Sequence, residues 1–351
     1  MQLKPLIIAS LLILALSAHA QTIPPETIQH GPDWPNWAYG EIGPYSPGDE
    51  IAPPCPENAS PLECAYYGAP PEKGGPKYTL EDSTQSFEVA EADNDFGPGD
   101  WYPQDHPEMP DLVAYGDKER EIRACSMCHY ASGQGKMENG HVAGLPVNYF
   151  LQQLEAFANR ERYSADLRKA NPNEMGRIAA LLTEEERKIA AEYFASIEYK
   201  PHVTVIEADE APQVRATMNG LLLPLEGLPK QKLGQRIIEV AEHPERTELL
   251  RDPRAGFIAY VPIGSIAKGE ALVTTGGGKT IQCGLCHGEG QRGLGDIPAI
   301  AGRTASYIMR QLWDVKQGTR TSPIMVPVVA NLTAEDMLNI TAYIASLDPT
   351  N

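Results

Sequence analysis

Two five-residue segments of one pattern stand 158 residues apart: Cys125-Ser126-Met127-Cys128-His129 and Cys283-Gly284-Leu285-Cys286-His287. The chain repeats itself around them. A repeat at fixed offset limits the fold more than composition does, because each copy must be one structural unit. At the same 158 offset Gly144 falls on Gly302, Tyr149 on Tyr307, Gln153-Leu154 on Gln311-Leu312, and Arg162 on Arg320. Phe150, Leu151, Leu154 and Phe157 recur as Ile308, Met309, Leu312 and Val315, a spacing that lines one face of a helix. After Arg162 the offset drops to 150, and Thr183-Glu184-Glu185-Glu186 matches Thr333-Ala334-Glu335-Asp336. Each predicts a helix start, with Thr as N-cap and an acid three residues on. Tyr193, Phe194 and Ile197 recur as Tyr343, Ile344 and Leu347. The first copy therefore carries eight extra residues between Arg162 and its last helix.

C-x-x-C-H is the attachment pattern for covalent haem. Two thiols at this spacing reach the two vinyl groups on one porphyrin edge, and the adjoining His reaches the iron. A zinc reading requires a fourth ligand at each site. A redox dithiol requires a βαβ context that the sequence lacks. Both segments end in His, so Cys125, Cys128 and His129 are expected to hold one haem c, and Cys283, Cys286 and His287 a second. Each copy then reads as helix, haem loop, helix, ligand loop, helix.

The repeat also selects the iron's sixth ligand. Ser322-Pro323-Ile324-Met325-Val326-Pro327 precedes the last helix on a Pro-stiffened loop, and Met325 lies eight residues before Thr333. Met175 stands at the same distance before Thr183, on a longer loop with no adjoining Pro. A thioether is soft and neutral, favours reduced iron and raises the potential. His129 and Met175, and His287 and Met325, are the expected axial pairs, with Met137 and His141 as competitors at the first iron. A ligating His usually donates its other N–H to a carbonyl. Pro298 is placed to supply one in the second copy, whereas the matching position is Gly140, so the first half departs from the pattern. Arg162 and Arg320 either meet haem propionates or are solvated helix-end arginines.

Lys4, the apolar run from Leu6 to Leu16 and Ala18-His19-Ala20 have the layout of a secretory signal, cleaved after Ala20. The apolar run is too short to span a bilayer, and none of spanning length follows. Export to the periplasm and a mature chain with no membrane span are therefore expected. The net charge of -18 argues against nucleic acid and favours redox partners with basic docking surfaces. In an oxidising compartment Cys55 and Cys64 are predicted to close a small disulfide loop. They fall in a Pro-, Gly- and acid-rich extension, 21–110, expected to have little regular structure and to be pinned down by its aromatics. Between the copies, His202 to Ile206, Arg236 to Val240 and Gly256 to Val261 are β-prone runs, predicting a small β element in an insert at 200–265.

The two attachment motifs, Ile300-Ala301-Gly302 with Tyr307, the Met325 loop and the closing Thr333 to Leu347 helix resemble class I cytochrome c domains. In tandem they are similar to the dihaem periplasmic cytochromes c. That resemblance covers 111–199 and 266–351, the two expected haem domains. It implies a mainly α fold, His/Met ligation and electron shuttling to membrane oxidases, with no catalytic residues. Two other readings carry weight. One is the electron-accepting subunit of a periplasmic dehydrogenase. The other is a dihaem peroxidase, which needs an open sixth position at one iron and acid–base residues nearby.

Overall fold

The structure, a computed structural model, describes residues 31, 33–40, 62, 71, 73–217 and 219–350. The expected signal at 1–20 and the Cys55/Cys64 pair lie outside the described residues. Among its described residues the extension contributes two 3₁₀ turns, Asn36–Tyr39 and Pro103–Asp105, and the short helix α1 (Val89–Ala92). The first copy follows as α2 (Asp111–Tyr115), α3 (Cys125–His129), α4 (Val147–Ala158), α5 (Ala170–Leu181) and α6 (Glu184–Ala195). The second copy is α8 (Ser265–Thr275), α9 (Gly284–His287), α10 (Ala305–Gln317), α11 (Val326–Val329) and α12 (Ala334–Ser346). The protein is mainly helical, with small sheets confined to the stretch between the copies.

Each copy closes over its own apolar core. Phe150 and Leu154 of α4 meet Phe194 and Ile197 in the first, and Ile308 and Met309 of α10 meet Leu338 and Ile344 in the second. Thr183 and Thr333 both form the reciprocal cap with Glu186 and Asp336. Such a cap stabilises a helix by about 1 kcal/mol. Gly144 and Gly302 both have φ +67°, a left-handed value that β-carbon sterics disfavour. Their N–H groups donate to Phe194 and Ile344 carbonyls at 3.0 and 2.9 Å, tying each loop to its last helix.

Two expectations need correcting. Both attachment segments are single helical turns, α3 and α9, rather than loops. Met175 lies inside the twelve-residue helix α5, not on a loop. The eight extra residues give this segment enough length for three turns, and Pro172 falls in the first turn, where a missing N–H costs nothing. In the second copy Pro323 and Pro327 flank Met325, and only the single turn α11 forms.

The stretch between the copies holds β1 (Val203–Glu207), β2 (Glu210–Ala211), β3 (Val214–Ala216), β4 (Leu222–Pro224), β5 (Gln231–Lys232), β6 (Ile238–Ala241), α7 (Pro244–Glu248) and β7 (Phe257–Val261). The three β-prone runs become one sheet, ordered β1-β7-β6, with β1 parallel and β6 antiparallel to β7. Two short antiparallel pairs, β2 with β5 and β3 with β4, carry no comparable sequence signal. The carboxylate of Glu239 on β6 is buried against the start of α10, accepting from Ala305 N at 2.8 Å and Ser306 N at 2.9 Å. Aromatics pin the extension: Trp34 stacks on Tyr39 at 4.7 Å, and the Tyr39 hydroxyl donates to Asp314 of α10 at 2.7 Å.

Gly269 marks the closest approach of α8 to α12, where a β-carbon would stand 1.9 Å from the Asn339 carbonyl oxygen. Gly269→Ala is expected to push the helices apart and cost about 1–3 kcal/mol, as overpacking does. Denaturant unfolding of the holoprotein measures it, and an unchanged midpoint would contradict so tight a crossing.

Candidate functional site

Each attachment turn places its histidine identically. His129 Nδ1 donates to the Gly140 carbonyl at 2.7 Å, and His287 Nδ1 donates to the Pro298 carbonyl at 2.8 Å. The first half therefore keeps the pattern that its sequence seemed to break, because a backbone carbonyl needs no particular side chain. Burial holds both imidazoles below the usual histidine pKa, hence neutral, and Nε2 has no protein partner among the described hydrogen bonds of either ring. A neutral ring fixed at Nδ1 with Nε2 free is the state a metal ligand requires.

The four thiols Cys125, Cys128, Cys283 and Cys286 are free. Burial pushes Cys125 up to about 12 and Cys283 to about 11, far from the lowered values of redox dithiols. Among the described residues no three His, Cys, Asp or Glu gather around one point as an ion's ligands would. Met175 is half-buried in the same cluster as Cys125, Phe150 and Leu154, and Met325 packs in the cluster that contains Cys283. The competitors lie elsewhere. Met137 is buried in the core of the insert with Leu221 and Leu233. His141 is 1% exposed and both its ring nitrogens are engaged, Nδ1 with the Gln134 carbonyl and Nε2 with Thr304 Oγ1 at 2.6 Å.

Arg162 and Arg320 form a reciprocal lattice between the copies. Arg162 reaches Gln153 of its own copy at 2.8 Å, and Gln311 and Tyr307 of the other at 2.8 and 3.2 Å. Arg320 reaches its own Gln311 at 2.9 Å, and Tyr149 and Gln153 opposite at 2.7 and 3.2 Å. The backbones pair beside them, with Tyr163 N on Thr319 O at 2.9 Å and Thr321 N on Glu161 O at 2.8 Å. Neither guanidinium has a carboxylate within ion-pair distance among the described residues. Burial alone would raise the Tyr307 pKa, but the two guanidiniums outweigh it and hold the phenol below its usual value. Two half-buried cations with only neutral partners leave room for an anion, and each influences the nearby histidine, Arg162 on His129 and Arg320 on His287. The repeat displayed all six residues in register, but contact across copies left no mark in either one.

No family model matches the chain. The cytochrome c-554(547) of Halothiobacillus neapolitanus is 39% identical over 84 residues, which is 20% of this chain and 92% of that protein. The chain belongs to the class I c-type cytochromes. This cytochrome is also similar to the cytochrome subunit of sulfide dehydrogenase of Chlorobaculum tepidum, 30% identical over 27% of this chain and 87% of that one. To cytochrome c4 of Pseudomonas aeruginosa it is 37% identical over 81 residues, 23% of this chain, and it spans only 39% of that protein. With two attachment segments, the cytochrome takes two covalently bound haem c groups. The residues present fit them: paired free thiols, neutral histidines with a free Nε2, thioethers in the same clusters, and guanidiniums with no carboxylate within ion-pair distance among the described residues.

Proposed function

We propose that this cytochrome is a periplasmic electron-transfer protein, with Cys125, Cys128, His129 and Met175 holding one haem and Cys283, Cys286, His287 and Met325 the other. When bound, each haem supplies a one-electron Fe(III)/Fe(II) couple. The histidine geometry carries this reading, since both rings are fixed by a carbonyl eleven residues on with Nε2 free. The Gly140 and Pro298 carbonyls keep the rings oriented, the apolar clusters around Met175 and Met325 exclude water, and the cations Arg162 and Arg320 would offset propionate charge. A rigid shell of this kind suits outer-sphere exchange, which breaks no bond. Among the described residues no helix is long and apolar enough to cross a membrane.

A second reading, the electron-accepting subunit of a dehydrogenase, draws support from the relative that is named as a sulfide dehydrogenase subunit. It uses the same sites and differs only in the donor. Peroxidase chemistry would need one sixth position left open, and the proposed Met ligands close both.

Intact mass of the purified chain is expected to equal the mature polypeptide plus two haems, and Cys286→Ser to lose haem from the second site only. The oxidised protein should be low-spin at both haems and show the red sulfur-to-iron charge-transfer band. A high-spin first haem with rapid peroxide turnover would replace the carrier reading with the peroxidase one.

A further inference from the structure

The two attachment segments match on their inner sides and differ on their outer sides. Around the second, five apolar side chains face solvent: Ile281, Leu285, Leu294, Ile324 and Val326, each at least 45% exposed. They lie on adjoining segments, the attachment turn α9 with its flanks and the start of the turn α11 with the residue before Met325. Thr280 Oγ1 donates to the Val328 carbonyl at 2.6 Å, holding the attachment loop against the Met325 turn, and Gly293 N donates to the His287 carbonyl at 2.6 Å, bringing Leu294 alongside. Their counterparts in the first copy, by the offsets of the repeat, are Arg123, Met127, Lys136, Glu174 and Gly176.

Four of those counterparts, Arg123, Met127, Lys136 and Glu174, are tied down. Arg123 pairs with Asp95 at 3.3 Å and Glu174 at 3.6 Å. Lys136, 3% exposed, pairs with Glu138 and with Glu248 of α7, both at 3.0 Å. The Met127 carbonyl accepts from the Arg251 guanidinium, which also pairs with Asp93 at 3.0 Å. Asp93 and Asp95 belong to the extension, and Glu248 and Arg251 to the insert. The two covers are joined to each other, since Trp101 Nε1 donates to the Leu250 carbonyl at 2.5 Å and Arg254 pairs with Asp105 at 2.8 Å.

We propose that the extension and the insert together close the outer face of the first haem site, and that the apolar face around Leu285 and Ile324 is the surface on which this cytochrome engages a redox protein. The proposal rests on the electron-transfer reading above. Exposed apolar groups clustered on one face mark contact with another protein. The fitting partner presents an apolar patch within a basic surround, because a chain of net charge -18 steers basic molecules toward it.

The test is stopped-flow oxidation of the reduced, full-length holoprotein by a lysine-rich monohaem cytochrome c at low ionic strength. Leu285→Glu/Ile324→Glu is expected to slow the second-order rate by about tenfold or more, as loss of a contact centre does. That slowing runs against electrostatics, since two added acids attract a basic probe. Ile324→Glu/Val326→Glu, outside the attachment segment, should act alike, with haem content and the dithionite-reduced spectrum unchanged. Tyr115→Glu, on an exposed residue near the covered face, should stay within about twofold. A wild-type protein that does not exchange electrons with the probe overturns the carrier reading and this proposal with it. An active wild type whose Glu pairs keep the rate, or whose Tyr115→Glu variant slows as much, overturns the proposal alone.

Discussion

Met325→Ala is expected to lower the reduction potential of the second haem, open its iron to cyanide and halve the sulfur-to-iron band, leaving the first haem as it was. The thioether stabilises reduced iron, and axial ligation moves haem potentials within a span of about 0.8 V. Met175→Ala should do the same at the first haem. The structure makes the companion experiment sharp, because His141 is buried with both ring nitrogens bonded and Met137 belongs to another core. Redox titration and ligand-binding spectra of the two variants decide it. If Met175→Ala changes neither while His141→Ala changes both, the first axial pair is wrong.

The second large effect concerns Lys169, the residue immediately before the helix carrying Met175. Its side chain is 1% exposed and its ammonium donates to the Asn219 carbonyl at 3.1 Å. Burial, reinforced by the Arg310 guanidinium, depresses its pKa to about 7, against the pull of Glu138, Asp166 and Asp314. An unfolded lysine titrates near 10.4. The folded state thus gives up its proton first, and above pH 7 the unfolded state binds more protons, so this group's contribution to stability rises with pH until the unfolded value is passed. Between pH 6 and pH 9 the rise amounts to about 2–3 kcal/mol. Lys169→Met should be more stable than wild type at pH 6 and lose that part of the slope. Chemical denaturation at several pH values measures it, and parallel pH profiles for the two proteins would remove the buried charge from the account.

The internal repeat made much of this legible before any coordinates. Helix-spaced apolar residues recurring at a fixed offset predicted α4 and α10, and the Thr-to-acid spacing predicted both closing helices with their caps. The β-prone runs gave the strands of the main sheet, because alternating apolar residues survive as a local signal. What escaped was set by contacts distant along the chain. The helix around Met175 depends on the space its added residues occupy. Arg251 over Met127 joins positions 124 residues apart, and nothing local to either announces the other. The Gly140 carbonyl was missed for the opposite reason: the relevant atom belongs to the backbone, which sequence comparison does not display.

The reciprocal arginine lattice limits where the two halves can differ in length. A copy that arose by duplication is ordinarily free to drift. Here each arginine is satisfied by a tyrosine and a glutamine of its twin, so insertions between Tyr149 and Arg162, or between Tyr307 and Arg320, would misalign both halves at once. The offset stays at 158 through this stretch and changes only beyond Arg162, where the added residues become part of the Met175 segment without disturbing the crossing. The two halves can therefore differ on the outer face and in the ligand segment, while the seam requires both to keep one register.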